Sequence, residues 1–154
     1  MQTKKVRDEQ ISTQIRTLHG ALIDIVSVMH RPDRDVAVIA TAGIRLERAL
    51  FPLLVGIGRF GPIGVGSLAA RVGRDYSTVS RQVAKLESLG LVDRGDDRIR
   101  GAAVTQDGQA MTDLIDAARE RIGRAAFKTW DAREINDFVR LTRKFADAVK
   151  DYGP

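Results

Sequence analysis

The order of apolar and polar positions predicts long helices at both ends of the chain. In residues 9–30, apolar side chains recur every three or four positions, which is the spacing of one helix face. They are Ile11, Ile15, Leu18, Leu22, Ile25 and Met29. This helix should end at Arg31, because the following proline disfavours helical geometry in the residue before it. Asp33 then has the position of an N-cap for a short helix to about residue 42, although β-branched residues leave a strand open there.

Shorter elements follow in the middle of the chain. Residues 46–57 again have helical spacing, but Pro52 lies inside the pattern. Proline removes a hydrogen bond from a helix interior. The helix therefore either begins near Ala49, with the proline in its first turn, or runs through with a kink. A short helix is predicted over 64–72, and Gly73 ends it.

Residues 77–87 predict an amphipathic helix with two different faces. At roughly 100° per residue, Val79, Val83 and Leu86 fall on one side. The other side holds small hydroxyls and two cations, without a carboxylate: Ser77, Thr78, Ser80, Arg81, Ala84, Lys85 and Ser88. Hydroxyls donate to phosphates and arginine pairs with guanine, so this face suits the major groove of DNA. An ordinary solvated face is the alternative on this stretch alone.

The residues before this helix favour a helix-turn-helix. Asp75 has the position of its N-cap. Ala69, Gly73 and Val79 follow one another at offsets of 4 and 6. A small alanine lets two helices cross closely, a glycine takes the left-handed turn, and the valine packs the second helix on the first. Gly90 should end the second helix.

The residues after it predict a wing and two more helices. Strands over 91–94 and 100–104 surround a tight turn, and a hairpin directly after a recognition helix is a wing. Thr105 should cap a long helix, and Asp131 with Glu134 has the spacing of a capping box. The apolar stripes of these two helices are Met111, Ile115, Ala118, Ile122 and Ala125, then Ile135, Phe138, Leu141, Phe145 and Val149. Together, these apolar stripes at both ends of the chain are more than a domain this small needs for its own core. We therefore expect the long terminal helices to bury one another in a dimer.

Composition narrows the function further. The 154 residues fit one domain, and a net charge of +5 favours a polyanionic partner. The absence of cysteine excludes disulfides and thiolate metal sites, and two histidines argue against zinc, so we expect no metal or cofactor. The longest apolar stretch, 49–57, is too short to span a bilayer. The basic N-terminus leads into an amphipathic helix, so we expect a cytoplasmic protein without a membrane partner.

The chain resembles the MarR family of winged helix-turn-helix transcriptional regulators over about residues 46–108. The matching motifs are Gly66-Ser67-Leu68-Ala69-Ala70-Arg71-Val72-Gly73, Ser77-Thr78-Val79-Ser80-Arg81, Leu86-Glu87-Ser88-Leu89-Gly90-Leu91-Val92, and the wing signature Asp96-Asp97-Arg98 followed by Val104-Thr105. The resemblance implies a mainly α fold with a small β-hairpin wing, in a single domain over 1–154. Its winged helix-turn-helix lobe would span 46–105, flanked by dimerisation helices over 9–30 and 106–150.

The resemblance also implies a homodimer whose paired recognition helices enter successive major grooves of double-stranded DNA. The site would be near-palindromic, with half-sites about 34 Å apart. The implied DNA-contacting residues are Tyr76, Ser77, Thr78, Ser80, Arg81 and Lys85 on the helix, and Asp96, Arg98 and Arg100 on the wing. The family position of Arg98 commonly enters the minor groove, steadied by that of Asp96. Only Gly95 separates Arg94 from Asp96 here, fewer residues than in many members, so Arg98 and Arg100 could contact phosphates instead.

Family members often bind small aromatic molecules between the dimerisation helices and the DNA-binding lobe. The bound ligand weakens DNA binding by shifting the spacing of the recognition helices. The resemblance thus implies a small aromatic effector, with His19 and Leu22 as candidate pocket residues. His19 and His30 lie roughly 16 Å apart along a helix and cannot hold one metal together. A surface or core-edge histidine is the simpler interpretation of each.

The predicted function is that of a sequence-specific DNA-binding transcriptional regulator, a homodimeric repressor released by a small-molecule ligand. The alternative is a winged-helix module that binds protein, or a non-specific nucleoid-binding protein. A protein-binding face would usually expose apolar anchors, which the hydroxyl-rich face lacks. Catalysis is not expected, because Asp96-Asp97 is the only tight carboxylate pair outside a helix and no nucleophile–base pair, phosphate loop or metal spacing accompanies it.

Overall fold

The structure, a computed structural model, describes residues 2–95 and 101–150, and side chains from residue 6 onward. The helices are α1 (Gln2–Met29), α2 (Pro32–Ala42), α3 (Phe51–Phe60), α4 (Val65–Val72), α5 (Tyr76–Ser88), α6 (Gln106–Arg124) and α7 (Ala132–Lys150). The strands are β1 (Val92–Asp93) and β2 (Ala103–Val104), and a 3₁₀ turn (Ala125–Phe127) follows α6. The predicted mainly helical fold with a small hairpin is confirmed.

The first two helices differ from the prediction at their starts. α1 begins at Gln2 and not at residue 9, since the polar residues before the apolar stripe are mostly good helix formers. The predicted N-cap at Asp33 is wrong: Arg31 is the N-cap, Pro32 opens α2, and Asp33 lies in its first turn. Proline suits that position because its missing N–H would be unpaired there anyway. The alternative of a strand is wrong too, because α2 remains helical to Gly43, whose φ is 66°.

The start of α3 shows which of the two predicted positions Pro52 has in the helix. The helix begins at Phe51, so the proline lies in its first turn and no kink is required. Residues 47–50 form a turn instead of helix, with the Leu50 amide donating to the Glu47 carbonyl over 2.9 Å. The start is therefore two residues later than predicted.

The helix-turn-helix is confirmed in α4 and α5. Gly73 has a φ of 65° at the end of α4, and the Asp75 carboxylate caps α5. Ala69 and Val79 are both buried, as expected of residues at a close helix crossing. The chain thus turns sharply between two short helices and fixes their relative orientation.

The wing is shorter along its strands than predicted, but it is joined by a third segment. Val92 pairs with Val104 and Asp93 with Ala103 in an antiparallel ladder. Ile63, just before α4, forms a two-way bridge with Ala102, with N–O distances of 2.8 and 3.0 Å. This bridge fixes the base of the wing to the helix-turn-helix.

The last two long helices begin with the predicted caps. The Thr105 hydroxyl accepts from the Gly108 amide over 3.1 Å and donates to the Gly90 carbonyl over 2.6 Å. The Asp131 and Glu134 side chains each accept from the other residue's amide, over 2.8 and 2.9 Å, which is the reciprocal capping box.

The core lies around the helix-turn-helix and includes part of α6, but not α1 or α7. Large side chains of α3, α4 and α5 are fully buried together with Ile115 and Ala118 of α6. α6 therefore packs on α2 and α3 of its own chain. In α1 and α7, by contrast, no described side chain is buried. None of the described helices is long and apolar enough to cross a membrane.

Candidate DNA interface

α5 divides its side chains between the core and the surface as its sequence predicts. Val79, Val83 and Leu86 have no exposed surface, because they pack against the core of the lobe. On the opposite side, Tyr76 is 62% exposed, and Arg81 with Lys85 is also exposed. α5 is therefore anchored on one face and accessible on the other.

The exposed residues form a short stripe along the helix. Ser77, Arg81 and Lys85 are spaced by four residues, so they span about 12 Å of the helix axis on one side. Thr78 and Ser80 are half-buried and flank this stripe. The helix candidates for DNA contact thus separate into three outward residues, two flanking ones and Tyr76 at the start.

The start of α5 is held by a network around Asp75. Its Oδ1 accepts from the Ser77 hydroxyl over 2.7 Å and from the Thr78 amide over 2.8 Å. Hydrogen bonds from Ser77 and Thr78 hold the pKa of Asp75 well below its usual value, so the carboxylate stays ionised at neutral pH. Because the Ser77 hydroxyl donates its one hydrogen bond to Asp75, its oxygen is left only as an acceptor. Ser77 can therefore donate to a DNA phosphate only after giving up its hydrogen bond to Asp75.

Lys85 has a partner that the sequence pattern missed. The Oε1 of Glu47, in the turn before α3, contacts its Nζ. The helix itself carries no carboxylate on its outward side, but the fold brings one there from 38 residues away. No local spacing could have shown this contact.

Two other arginines near the helix contact groups within the protein. The Arg74 Nη1 donates to the Ala49 carbonyl over 2.7 Å and to the Gln82 Oε1 over 3.0 Å, so it ties the turn before α3 to α5. The Arg71 guanidinium lies 4.1 Å from the centre of the Phe60 ring. The basic surface is therefore carried by Arg81 and Lys85 more than by the arginines that precede them.

The wing candidates Asp96, Arg98 and Arg100 lie outside the described residues. What is described is the wing's base, where the Asp93 carboxylate accepts from the Gly95 amide over 2.8 Å. A cavity of about 310 Å³ beside it is lined by Gly66, Tyr76, Arg94 and Ala102, among others. Tyr76, at the start of α5, thus shares a cavity with the base of the wing.

The ligand-pocket candidates lie on α1. His19 is exposed and Leu22 is half-buried. A cavity of about 250 Å³ lies further along, where the end of α1 meets the lobe. Its lining is Met29, Arg34, Asp35, Val38, Phe51, Arg119 and Ile122, which includes neither candidate. Within residues 2–95 and 101–150, no three metal-binding side chains come together.

Comparisons with known proteins agree with this geometry. A family model described as HVO_A0114 matches residues 47–106. The uncharacterized HTH-type transcriptional regulator YxaD of Bacillus subtilis is 31% identical over 110 residues, which are 69% of this chain and 77% of that protein.

Solved structures of MarR-family proteins have the same fold. One from Bacillus stearothermophilus superposes with a TM-score of 0.69 at 19% identity, covering 90% of this chain and 97% of that one. A MarR-family transcriptional regulator from Listeria monocytogenes, complexed with 26mer DNA, is 25% identical with a TM-score of 0.59. That match covers 84% of this chain and 89% of the other.

Proposed function

Because the chain belongs to the MarR family of winged helix-turn-helix transcriptional regulators, we propose that it acts as a homodimer that recognises a near-palindromic DNA site with two copies of α5. The observation that carries the proposal is the division of α5: one face is fully buried, and the other presents Ser77, Arg81 and Lys85. A helix held rigidly by its buried face can place its outward side chains in a major groove with a fixed register.

The terminal helices supply the argument for a dimer. The α1 stripe stays largely exposed in the single chain, with Ile15 58% and Leu18 43% exposed. In α7, Phe138, Leu141 and Phe145 are exposed as well. Monomeric proteins rarely leave such continuous apolar stripes in water, so a second copy is the natural partner for them.

Contacts to DNA divide into two kinds. We assign base recognition to Arg81, with Ser77, Thr78, Ser80 and Tyr76 around it, since arginine pairs bidentately with guanine O6 and N7. We assign phosphate contact to Lys85, because an ammonium is a point charge without a preferred base. Arg98 and Arg100, with Asp96 steadying Arg98, would extend the contact from the wing to the minor groove or to nearby phosphates.

Release from DNA is proposed to follow the binding of a small aromatic effector. The cavity at the end of α1 has apolar walls that include Met29 and Phe51. Its two arginines, Arg34 and Arg119, outnumber its one carboxylate, Asp35, and this excess of positive charge suits an aromatic acid. His19 and Leu22 remain candidates for an effector site nearer the middle of α1. A ligand that binds one spacing of the two α5 helices better than another shifts the population away from the DNA-binding form.

We infer a repressor that acts at the nucleoid in the cytoplasm, where its DNA would be. Selection of bound fragments from random duplex DNA, with the mass of the free protein measured by light scattering, tests this function. We expect an enriched inverted repeat and a mass near twice 16.9 kDa. Binding without enrichment of any sequence would favour a non-specific nucleoid-binding protein, and no DNA binding at all would favour a protein-interaction module.

Effector control is tested on the selected fragment with a series of aromatic carboxylic acids and phenols. An active compound should lower the affinity for the fragment, and Arg119→Gln should reduce its effect if the acid lies in the cavity at the end of α1. Full activity of the same compound on the Arg119→Gln protein would place the effector elsewhere.

A further inference from the structure

The exposed face of α5 receives an acidic side chain from a distant part of the chain. Glu47 lies in the turn before α3, and its Oε1 contacts the Nζ of Lys85. The Lys85 side chain is 49% exposed and that of Glu47 61%, so the pair lies at the surface and not in the core. It sits at the last member of the Ser77–Arg81–Lys85 stripe.

The turn that carries Glu47 is held in place by contacts of the residues that follow it. Leu50, three residues later, is buried, and its amide donates to the Glu47 carbonyl over 2.9 Å. The Ala49 carbonyl accepts from Arg74, which also donates to Gln82 of α5. The Glu47 backbone is therefore fixed relative to α5 by contacts that do not involve Lys85, and its carboxylate is delivered to the lysine by the fold.

We propose that Glu47 is a positioning residue for DNA binding: it competes with phosphate for the Lys85 ammonium and partly neutralises it, so that Lys85 contacts phosphate less often and α5 binds every duplex less tightly. The inference rests on the proposed function only in requiring that α5 contact duplex DNA. It does not depend on the operator, the dimer or the effector.

Charge neutralisation explains the effect. An ion pair of zero net charge displaces no counterions from DNA, whereas a free lysine releases about one per phosphate that it contacts. An exposed pair is weak, so Lys85 can exchange Glu47 for a phosphate, but the exchange leaves a carboxylate beside the backbone. Lys85 therefore adds less to DNA affinity in this protein than its charge alone would.

The test is the salt dependence of binding to random-sequence duplex DNA, measured by fluorescence anisotropy with the full chain. Glu47→Gln keeps the shape of the side chain and removes its charge. We expect tighter binding, with the slope of log K against log salt steeper by up to about 0.9, the value for one whole added phosphate contact. At that limit, the gain would be roughly three- to fourfold larger at 50 mM salt than at 200 mM.

Two controls separate this effect from a general change of charge. Glu87→Gln changes the net charge equally, but Glu87 is exposed two residues after Lys85, on the other side of α5. It should strengthen binding less. In a Lys85→Ala background, Glu47→Gln should lose most of its gain, because no ammonium is left to release.

Three results would overturn the proposal. They are unchanged or weaker binding by Glu47→Gln, a gain no larger than that of Glu87→Gln, and a gain that persists in full without Lys85. A wild-type protein that binds random DNA but prefers no sequence would contradict only the sequence-specific function, since the Glu47 test needs no operator. A wild-type protein that binds no duplex at all would contradict both.

Discussion

Among single residues, the outward side chains of α5 differ in the contacts that they make with other side chains of the protein. Ser77 donates to Asp75 and Lys85 contacts Glu47, whereas Arg81 extends from the middle of the exposed stripe. An arginine contributes to sequence preference when its guanidinium pairs with a base edge. A lysine contributes to affinity when its ammonium contacts phosphate. Arg81 is therefore the residue whose loss should change specificity.

Arg81→Ala should weaken binding to the selected site by about 1–3 kcal/mol and relax the base preference at one position of each half-site. Lys85→Ala is the matched control, and it should weaken binding to the selected site and to random DNA alike. Competition binding with both duplexes measures the two effects. Equal losses on both DNAs for Arg81→Ala would rule out its contact with a base.

A second residue-scale prediction concerns the packing of α6 against the wing. A Cβ on Gly108 would lie 1.9 Å from the Leu91 carbonyl oxygen, so Gly108→Ala must push the helix and the β1 segment apart. Gly123→Ala, in the same helix, meets nothing within 4 Å. We expect Gly108→Ala to lower the free energy of unfolding by several kcal/mol, and Gly123→Ala to leave it unchanged or raise it by up to about 1 kcal/mol.

Urea denaturation followed by circular dichroism measures both variants. Equal stability of the two proteins would contradict the close approach of α6 to Leu91.

Among helices and strands, the sequence predicted the features that depend on residues close together in the chain, such as helix caps. The Thr105 cap and the Asp131–Glu134 capping box act within four residues, and both are present as expected. The Ile63–Ala102 bridge and the Glu47–Lys85 pair join positions almost forty residues apart, and no periodicity encodes them. The Asp33 error has a local cause, because a proline at the first helical position competes with a capping residue one place later.

Periodicity also shows which face of a helix is apolar without showing what covers it. The stripes of α6 and α7 are similar in sequence. In the structure, Ile115 and Ala118 of α6 are buried within the chain, while Leu141 and Phe145 of α7 remain exposed. Dimerisation should therefore depend on α1 and α7 more than on the middle of α6.

This difference gives an element-scale prediction. Leu141→Glu places a charge in the exposed stripe of α7 and should shift the protein toward a monomer, because a buried unpaired carboxylate is costly in an interface. Arg143→Glu is the control, since it lies about 200° around the helix from Leu141. Light scattering at several concentrations measures the shift. A Leu141→Glu protein that stays a stable dimer would contradict a role of α7 in the dimer interface.

At the scale of the whole molecule, the fold separates a rigid lobe from exposed terminal helices. The core fixes α5 relative to the wing base through the Ile63 bridge, and Arg121 ties α6 to the end of α2 by donating to the Thr41 carbonyl over 3.1 Å. A dimer built through α1 and α7 would set the distance between its two lobes, and with it the spacing of the two copies of α5. In such a dimer the two recognition helices would lie one helical turn of DNA apart.

Hydroxyl-radical footprinting of the selected fragment measures this spacing on DNA. We predict two protected regions related by a dyad, with centres about 34 Å apart, and both should weaken together in Arg81→Ala. A single protected region, or protection spread evenly along the fragment, would contradict the account.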